Sequence, residues 1–179
     1  MNQANKNKMK QIKIEKVTLN IGVGQSGDKL DKAMKLLNTI TKMKPVQTKT
    51  MKRIPTWGLR PNLAIGCKVT IRGKGAEELL GRLLKAIDNK INASKFDKSG
   101  NFSFGIKEYI DIPGTEYDMD LGIIGLETAV TLERPGFRVK KRKIKRSHIP
   151  LRHRISKEAS MEFIKSKFST DISEGESEI

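Results

Sequence analysis

The chain has 179 residues but only one cysteine, one tryptophan and two histidines. A lone thiol, Cys67, excludes an intrachain disulfide, a four-cysteine zinc set and a redox pair, and favours an intracellular setting. His148 and His153 lie in a basic run with no acid beside them, so neither reads as a metal ligand. His153 is expected to be exposed or to face phosphate. Aromatic residues are sparse, and none are paired on the strands that carry the polar face described below. Base stacking of the RNA-recognition-motif kind is therefore not expected. No long apolar run suggests a membrane span, and the opening MNQANKNKMKQ lacks the apolar core of a signal peptide. Asp118 and Asp120 have no partner in the sequence that would make them catalytic. The chain is not expected to be an enzyme or to need a cofactor or metal.

Acid is missing where base is plentiful. The formal net charge is +16, more positive charge than a fold needs, which points to a polyanionic partner, most often nucleic acid. From Lys32 to Ala76 there is no Asp or Glu, while Lys and Arg recur throughout. From Arg134 to Arg154 there are ten Lys or Arg and again no acid. Such a run serves as a nuclear address, a membrane tether or a nucleic-acid arm.

The organising stretch is Ile12 to Leu37: a strand, a glycine turn, then a helix. Val17, Leu19, Ile21 and Val23 share one face; Lys16, Thr18 and Asn20 share the other. A helix begins near Asp28, with Ser26 or Asp28 as candidate caps, and stops at Pro45. Val46 to Thr50 reads as a second strand, Arg53 to Asn62 as an irregular loop, and Ile65 to Arg72 as a third strand. On that third strand Cys67, Val69 and Ile71 oppose Lys68, Thr70 and Arg72. A second helix carries its apolar face from Leu79 through Ile87 to Ile91. Phe102, Phe104 and Ile106 alternate, Tyr109 to Ile112 is strand-like, and Leu126 to Glu133 is the last strand. Ile155 to Phe168 is a final helix. Residues 1–11 read as a mobile basic start, and Asp171 to Ile179, with four acids and no base, as a disordered tail.

Two features compete for a ligand. Gly22-Val23-Gly24-Gln25-Ser26-Gly27 matches the dinucleotide fingerprint, but no acid follows about twenty residues on, as that fingerprint requires. A plain strand-to-helix turn is the better reading; its free N–H groups remain open to a backbone phosphate. The second feature is the polar set Lys16, Thr18, Asn20, Lys68, Thr70 and Arg72, which share one face if the first and third strands share a sheet. Lys supplies phosphate contacts, and Asn and Thr suit ribose hydroxyls and bases. On these residues alone, an RNA-binding face and a solvated outer face fit equally. Trp57, between Pro55 and Gly58, reads most simply as a loop anchor.

Three ordered blocks resemble the ribosomal protein L5 family, whose members attach 5S ribosomal RNA to the large subunit. They are EKVTLNIGVG (15–24), KPVQTKTMKRIPTWGLRPNLAIGCKVTIRG (44–73) and GNFSFGIKEYIDIPGTEYD (100–118). The basic RPGFRVKKRKIKR (134–146) is similar to the archaeal and eukaryotic branch. The resemblance implies an α+β two-layer sandwich, with helices packed on one face of an antiparallel sheet and 5S RNA on the other, plus a basic C-terminal extension. Residues 1–133 would form the RNA-binding domain, 134–170 the basic extension and last helix, and 171–179 the acidic tail.

The family's RNA-contacting Lys and Asn match Lys16 and Asn20, and its Thr matches Thr70; the Gln before its Lys-Pro is Met43 here. Its loop between the second and third strands, about Thr50 to Ala64, reaches P-site transfer RNA, with Lys52, Arg53, Trp57 and Arg60 as candidates. The basic arm, with Arg138, Lys140, Lys141, Arg142, Lys143, Lys145 and Arg146, would neutralise large-subunit ribosomal RNA. The implied setting is the central protuberance of the cytoplasmic ribosome, beside neighbouring ribosomal proteins that include one of the small-subunit head. A nucleotide-binding enzyme using the 22–27 turn and a non-specific DNA-compacting protein are the alternatives.

Overall fold

The computed structural model describes residues 7–173. In chain order the elements are β1 (Lys13–Gly22), α1 (Asp28–Thr41), β2 (Val46–Lys49), β3 (Ala64–Ile71), α2 (Lys74–Lys85), β4 (Lys90–Asn92), β5 (Phe102–Ile106), β6 (Leu126–Glu133), α3 (Arg138–Lys141), α4 (Lys157–Phe168) and β7 (Asp171–Ser173). Five strands form one antiparallel sheet in the order β2-β3-β1-β6-β5. β1, the stretch with the clearest alternation, is the central strand. The molecule is an α+β sandwich.

The core follows from that alternation. Val17, Leu19 and Ile21 of β1 are buried, as are Cys67, Val69 and Ile71 of β3 and Leu126, Val130 and Leu132 of β6. α1 supplies Leu30, Ala33, Leu36, Leu37 and Ile40, and α2 supplies Ala76, Leu79, Leu80, Leu83 and Leu84. These side chains form one cluster with the sheet's inner face. Leu19 is fully buried, so cutting it to Ala would cost about 2–5 kcal/mol. Ile155 and Ile164 join the same cluster. Ser160, also buried, donates its hydroxyl to the Gly100 carbonyl at 2.7 Å. The C-terminal helix is thus packed into the body of the fold.

One glycine is dictated by packing. Gly66 of β3 faces Gly22 of β1 and Thr48 of β2. A Cβ there would sit 2.8 Å from both the Ile21 carbonyl oxygen and Thr48 Oγ1.

Several local expectations are corrected. Lys42, in the left-handed conformation, ends α1 ahead of Pro45, its N–H bonding the Asn38 carbonyl. α2 stops at Lys85, and Asp88 and Asn89 then take positive φ, which short polar side chains tolerate. Ile91 therefore reaches the core from β4, not from the helix. Tyr109–Asp111 is a turn of 3-10 helix, not a strand. Tyr109 is buried there, and its hydroxyl accepts the Asp118 N–H at 2.9 Å. At the start of the chain Lys8–Lys10 form a 3-10 turn capped by Asn7, so the expected mobile start does not extend to these residues; residues 1–6 lie outside the described residues. At the other end Asp171–Ser173 pair in parallel with β4, so the acidic tail begins as a strand; 174–179 lie outside the described residues.

Candidate nucleic-acid interface

The outer face of the sheet is built by register. Thr18 lies opposite Thr70, and Asn20 opposite Lys68. On the other side of β1, Lys16 pairs with Thr131, Thr18 with Ala129 and Asn20 with Glu127. Period-two alternation puts all of these on the face away from the helices. Lys16, Thr18, Asn20, Lys68 and Thr70 are thus brought together, and Arg72, one residue past β3, joins their edge through Glu15. The Thr18 and Thr70 hydroxyls stand 3.4 Å apart, linking β1 to β3.

Acids share this face, and the set of six omitted them. Asn20 Nδ2 donates to Glu127 Oε2 at 3.2 Å. Arg72 Nη1 donates to Glu15 Oε1 at 3.0 Å. Lys141 Nζ reaches Glu15 Oε1 at 2.7 Å and Glu133 Oε2 at 3.0 Å. Glu127 and Glu133 were visible in LETAVTLE, where they alternate with the core residues. Glu15 was hidden, because its parity with Val17 assigns it to the core. The pairing shifts between Ile14 and Lys16, a bulge that lets Ile14 be buried and Glu15 turn to Arg72 and Lys141. Burial by itself would raise the Glu15 carboxyl. Hydrogen bonds from Lys141 and Arg72 outweigh it and hold the group below the usual carboxylate range. For Lys141, burial works against the charge, but the bonds to Glu15 and Glu133 win and push it up.

The β2–β3 connection is a loop, as expected, but backbone hydrogen bonds between its two arms order it. Thr50 N–H bonds the Leu63 carbonyl and Asn62 N–H bonds that of Thr50, both at 2.9 Å. Farther out, Ile54 and Leu59 exchange two backbone hydrogen bonds of 3.0 Å around the 3-10 turn Pro55–Trp57. Leu59 is the buried residue here. Trp57 is 73% exposed and so is not the anchor expected. Lys52, Arg53 and Arg60 are exposed beside it. Among the described residues none of these three forms an ion pair.

The basic arm folds back on itself. Arg134 Nη1 donates to the Arg154 carbonyl at 3.2 Å, Arg154 Nε to that of Ile149 at 3.2 Å, and Arg142 Nε to that of Lys145 at 2.8 Å. His153 is half-buried, edge-on to Phe137, with Nε2 2.9 Å from the Pro135 carbonyl oxygen. A carbonyl only accepts, so Nε2 carries the hydrogen. This corrects the expectation of an exposed or phosphate-facing histidine. Arg138, Lys140, Lys143, Lys145 and Arg146 are exposed and form no ion pair among the described residues. Among the described residues, Lys141 alone of the seven arm residues is engaged by carboxylates.

The glycine turn is tied down. Val23 and Gly24 N–H groups both bond the Ile65 carbonyl at 2.9 Å. α1 has Gly27 at its N-cap with no side-chain cap, which overturns Ser26 and Asp28 as caps. Asp28 and Asp31 occupy its first turn, where they meet the positive helix end and repel a phosphate. Asp118 does have a cationic partner, Lys35 Nζ at 3.3 Å. Among the described residues no cluster of three or more His, Cys, Asp or Glu is placed to hold a metal ion, and no helix is long and apolar enough to cross a membrane.

Comparison with known proteins gives one answer for both halves of the chain. A family model described as ribosomal protein L5 matches residues 7–60. A second model, describing the C-terminus of the same ribosomal family, matches residues 64–163. Relatives named large ribosomal subunit protein uL5 include that of Sulfurisphaera tokodaii, 52% identical over 94% of this chain and 96% of its own. That of Nanoarchaeum equitans is 54% identical over 92% of this chain and 97% of its own. That of Sulfolobus acidocaldarius is 47% identical over 98% of this chain and 99% of its own.

Proposed function

The chain belongs to the ribosomal protein L5 family, and on that footing we propose that it attaches 5S ribosomal RNA to the large subunit through the open face of its sheet. The family is structural, not enzymatic, and its members are proteins of the large subunit of the cytoplasmic ribosome. The proposal rests chiefly on one observation: Lys16, Thr18, Asn20, Lys68 and Thr70 lie on one continuous face of two paired strands, on the side opposite the helices.

That face suits RNA for physical reasons. An A-form helix offers a wide, shallow minor groove lined by 2′-hydroxyls, which a flat surface of hydroxyl and amide groups can meet. Lys16 and Lys68 supply phosphate contacts at its margins, which position without selecting sequence. The hairpin tip, with Lys52, Arg53, Trp57 and Arg60, is the part we assign to P-site transfer RNA. Its exposed indole can stack on a base while the cations meet phosphate. The free arm cations, Arg138, Lys140, Lys143, Lys145 and Arg146, neutralise large-subunit ribosomal RNA, and Arg142 adds to their charge. The site on the ribosome is the central protuberance, facing a protein of the small-subunit head.

The test is binding of the purified protein to folded 5S RNA, titrated over several salt concentrations beside a mismatched RNA of equal length. Selective binding that persists at moderate salt is expected. Equal binding of both RNAs, with log affinity falling by roughly 0.7–0.9 per phosphate contact per log of salt, would leave only charge attraction and return the DNA-compacting reading.

A further inference from the structure

Two carboxylates beside a cationic RNA surface weaken its attraction for a polyanion. Glu15 and Glu133 do this at the rim where the sheet meets the arm, and their geometry gives them another task. Glu15 has only 11% of its side chain exposed, and Glu133 only 23%. Both hold the same ammonium group, Lys141 Nζ, at 2.7 and 3.0 Å. Glu15 also holds Arg72, the last cation of the β3 face. The bulge that turns Glu15 toward Lys141 lies at the end of β1 nearest the arm, and Glu133 closes β6 just before the arm begins. Lys141 ends α3, a single turn of α-helix in the arm.

We propose that Glu15 and Glu133 are positioning residues for RNA binding: they clamp Lys141, and with it α3, against the sheet rim, so that arm and sheet face present one surface of fixed shape. The inference rests on the reading that both regions bind RNA. It reassigns Lys141 from a phosphate ligand to the clamped group. It also makes the acids contributors to selectivity, although they reduce total charge attraction. A fixed spacing between two phosphate-binding regions discriminates between RNA shapes; a loose arm follows any backbone.

Three full-length variants test this: Glu15→Gln with Glu133→Gln, Lys141→Met, and Lys143→Met as a charge-matched control. The first readout uses the protein without RNA: hydrogen exchange of the amides of residues 138–147. Exchange should speed up in the glutamine pair and in Lys141→Met, and stay as in the wild type in Lys143→Met. The second is the ratio of affinities for folded 5S RNA and a mismatched RNA of equal length. That ratio should fall by about fivefold in both clamp variants, although the glutamine pair makes the protein more cationic. Lys143→Met should weaken both RNAs alike and keep the ratio. Unchanged exchange in both clamp variants, or a glutamine pair that binds both RNAs more tightly at a constant ratio, overturns the clamp. Lack of discrimination by the wild type itself would refute the RNA reading, and the exchange data would still decide whether the clamp exists. Melting curves of each variant separate clamp loss from general unfolding, and Lys141→Met provides the answer if the glutamine pair does not fold.

Discussion

Asn20, at the centre of the sheet's open face, donates an amide hydrogen to Glu127 on the adjoining strand at 3.2 Å. The bond orients the Asn20 amide and, on the proposed RNA-binding face, occupies a carboxylate that would otherwise meet phosphates uncompensated. Removing Asn20 therefore loses a contact and frees a negative charge. Asn20→Ala is expected to weaken 5S binding by about tenfold, and the double variant Asn20→Ala/Glu127→Ala to recover part of that loss. A filter-binding or fluorescence titration of the four-member cycle checks this; strictly additive effects would show that the pair is not coupled.

The Glu15 carboxyl titrates below its ordinary value of 4.5. A group with a depressed folded pKa stabilises the fold above its unfolded pKa and loses that contribution as pH falls through the folded value. Lys141, pushed up from 10.5, behaves the other way: its contribution is complete below the unfolded value and disappears as pH rises through the folded one. The stability difference between wild type and Glu15→Gln is thus expected to be complete at neutral pH, to shrink as the pH falls below 4.5 and to vanish only below the folded value. It should be small, about 1 kcal/mol or less, because Lys141 is nearly half exposed. Urea denaturation of both proteins at neutral and acid pH measures it.

Gly66→Ala is expected to destabilise by about 1–3 kcal/mol. The added carbon would meet the Ile21 carbonyl, which belongs to the central strand and cannot swing aside. The loss should appear in thermal melts without RNA. A neutral result would mean that β1 and β3 separate easily.

Cys67 is buried, and burial pushes its thiol up to about 11. At neutral pH it should resist a thiol reagent in the native protein and react as the protein unfolds. Labelling along a urea gradient should follow the circular dichroism transition; labelling ahead of it would reveal local opening between β3 and α1.

Much of this architecture was legible because hydrophobic period reports local structure directly. β1, β6 and α2 are where Val17–Ile21, LETAVTLE and the Leu-rich stretch of 79–84 place them, and α1 begins at Asp28, as its apolar spacing requires. The five polar residues of β1 and β3 converge because alternation fixes the face as soon as two strands pair, and Arg72, just past β3, joins them through Glu15. What escaped depends on contacts distant in sequence or on broken periods. Glu15 was hidden by a bulge, and its partners Arg72 and Lys141 come from elsewhere in the chain. Tyr109 looked like a strand residue, but its ring is held by packing and by the Asp118 N–H. β4 and β7 are too short to carry a periodic signal and exist by pairing with each other. His153 looked exposed because its neighbours are cations, although Phe137 and the Pro135 carbonyl enclose it.

On the proposed RNA-binding reading, the polar groups of the sheet face select the RNA and the exposed arm cations supply charge. This division of roles is tested most directly by comparing Asn20→Ala/Thr70→Ala with Lys143→Ala/Lys145→Ala for binding to folded 5S RNA and to a mismatched RNA across a salt series. The sheet variant should lose its preference for 5S RNA and keep its salt slope. The arm variant should keep the preference, bind both RNAs more weakly and show a shallower slope. A sheet variant that still discriminates, beside an arm variant that does not, would contradict it.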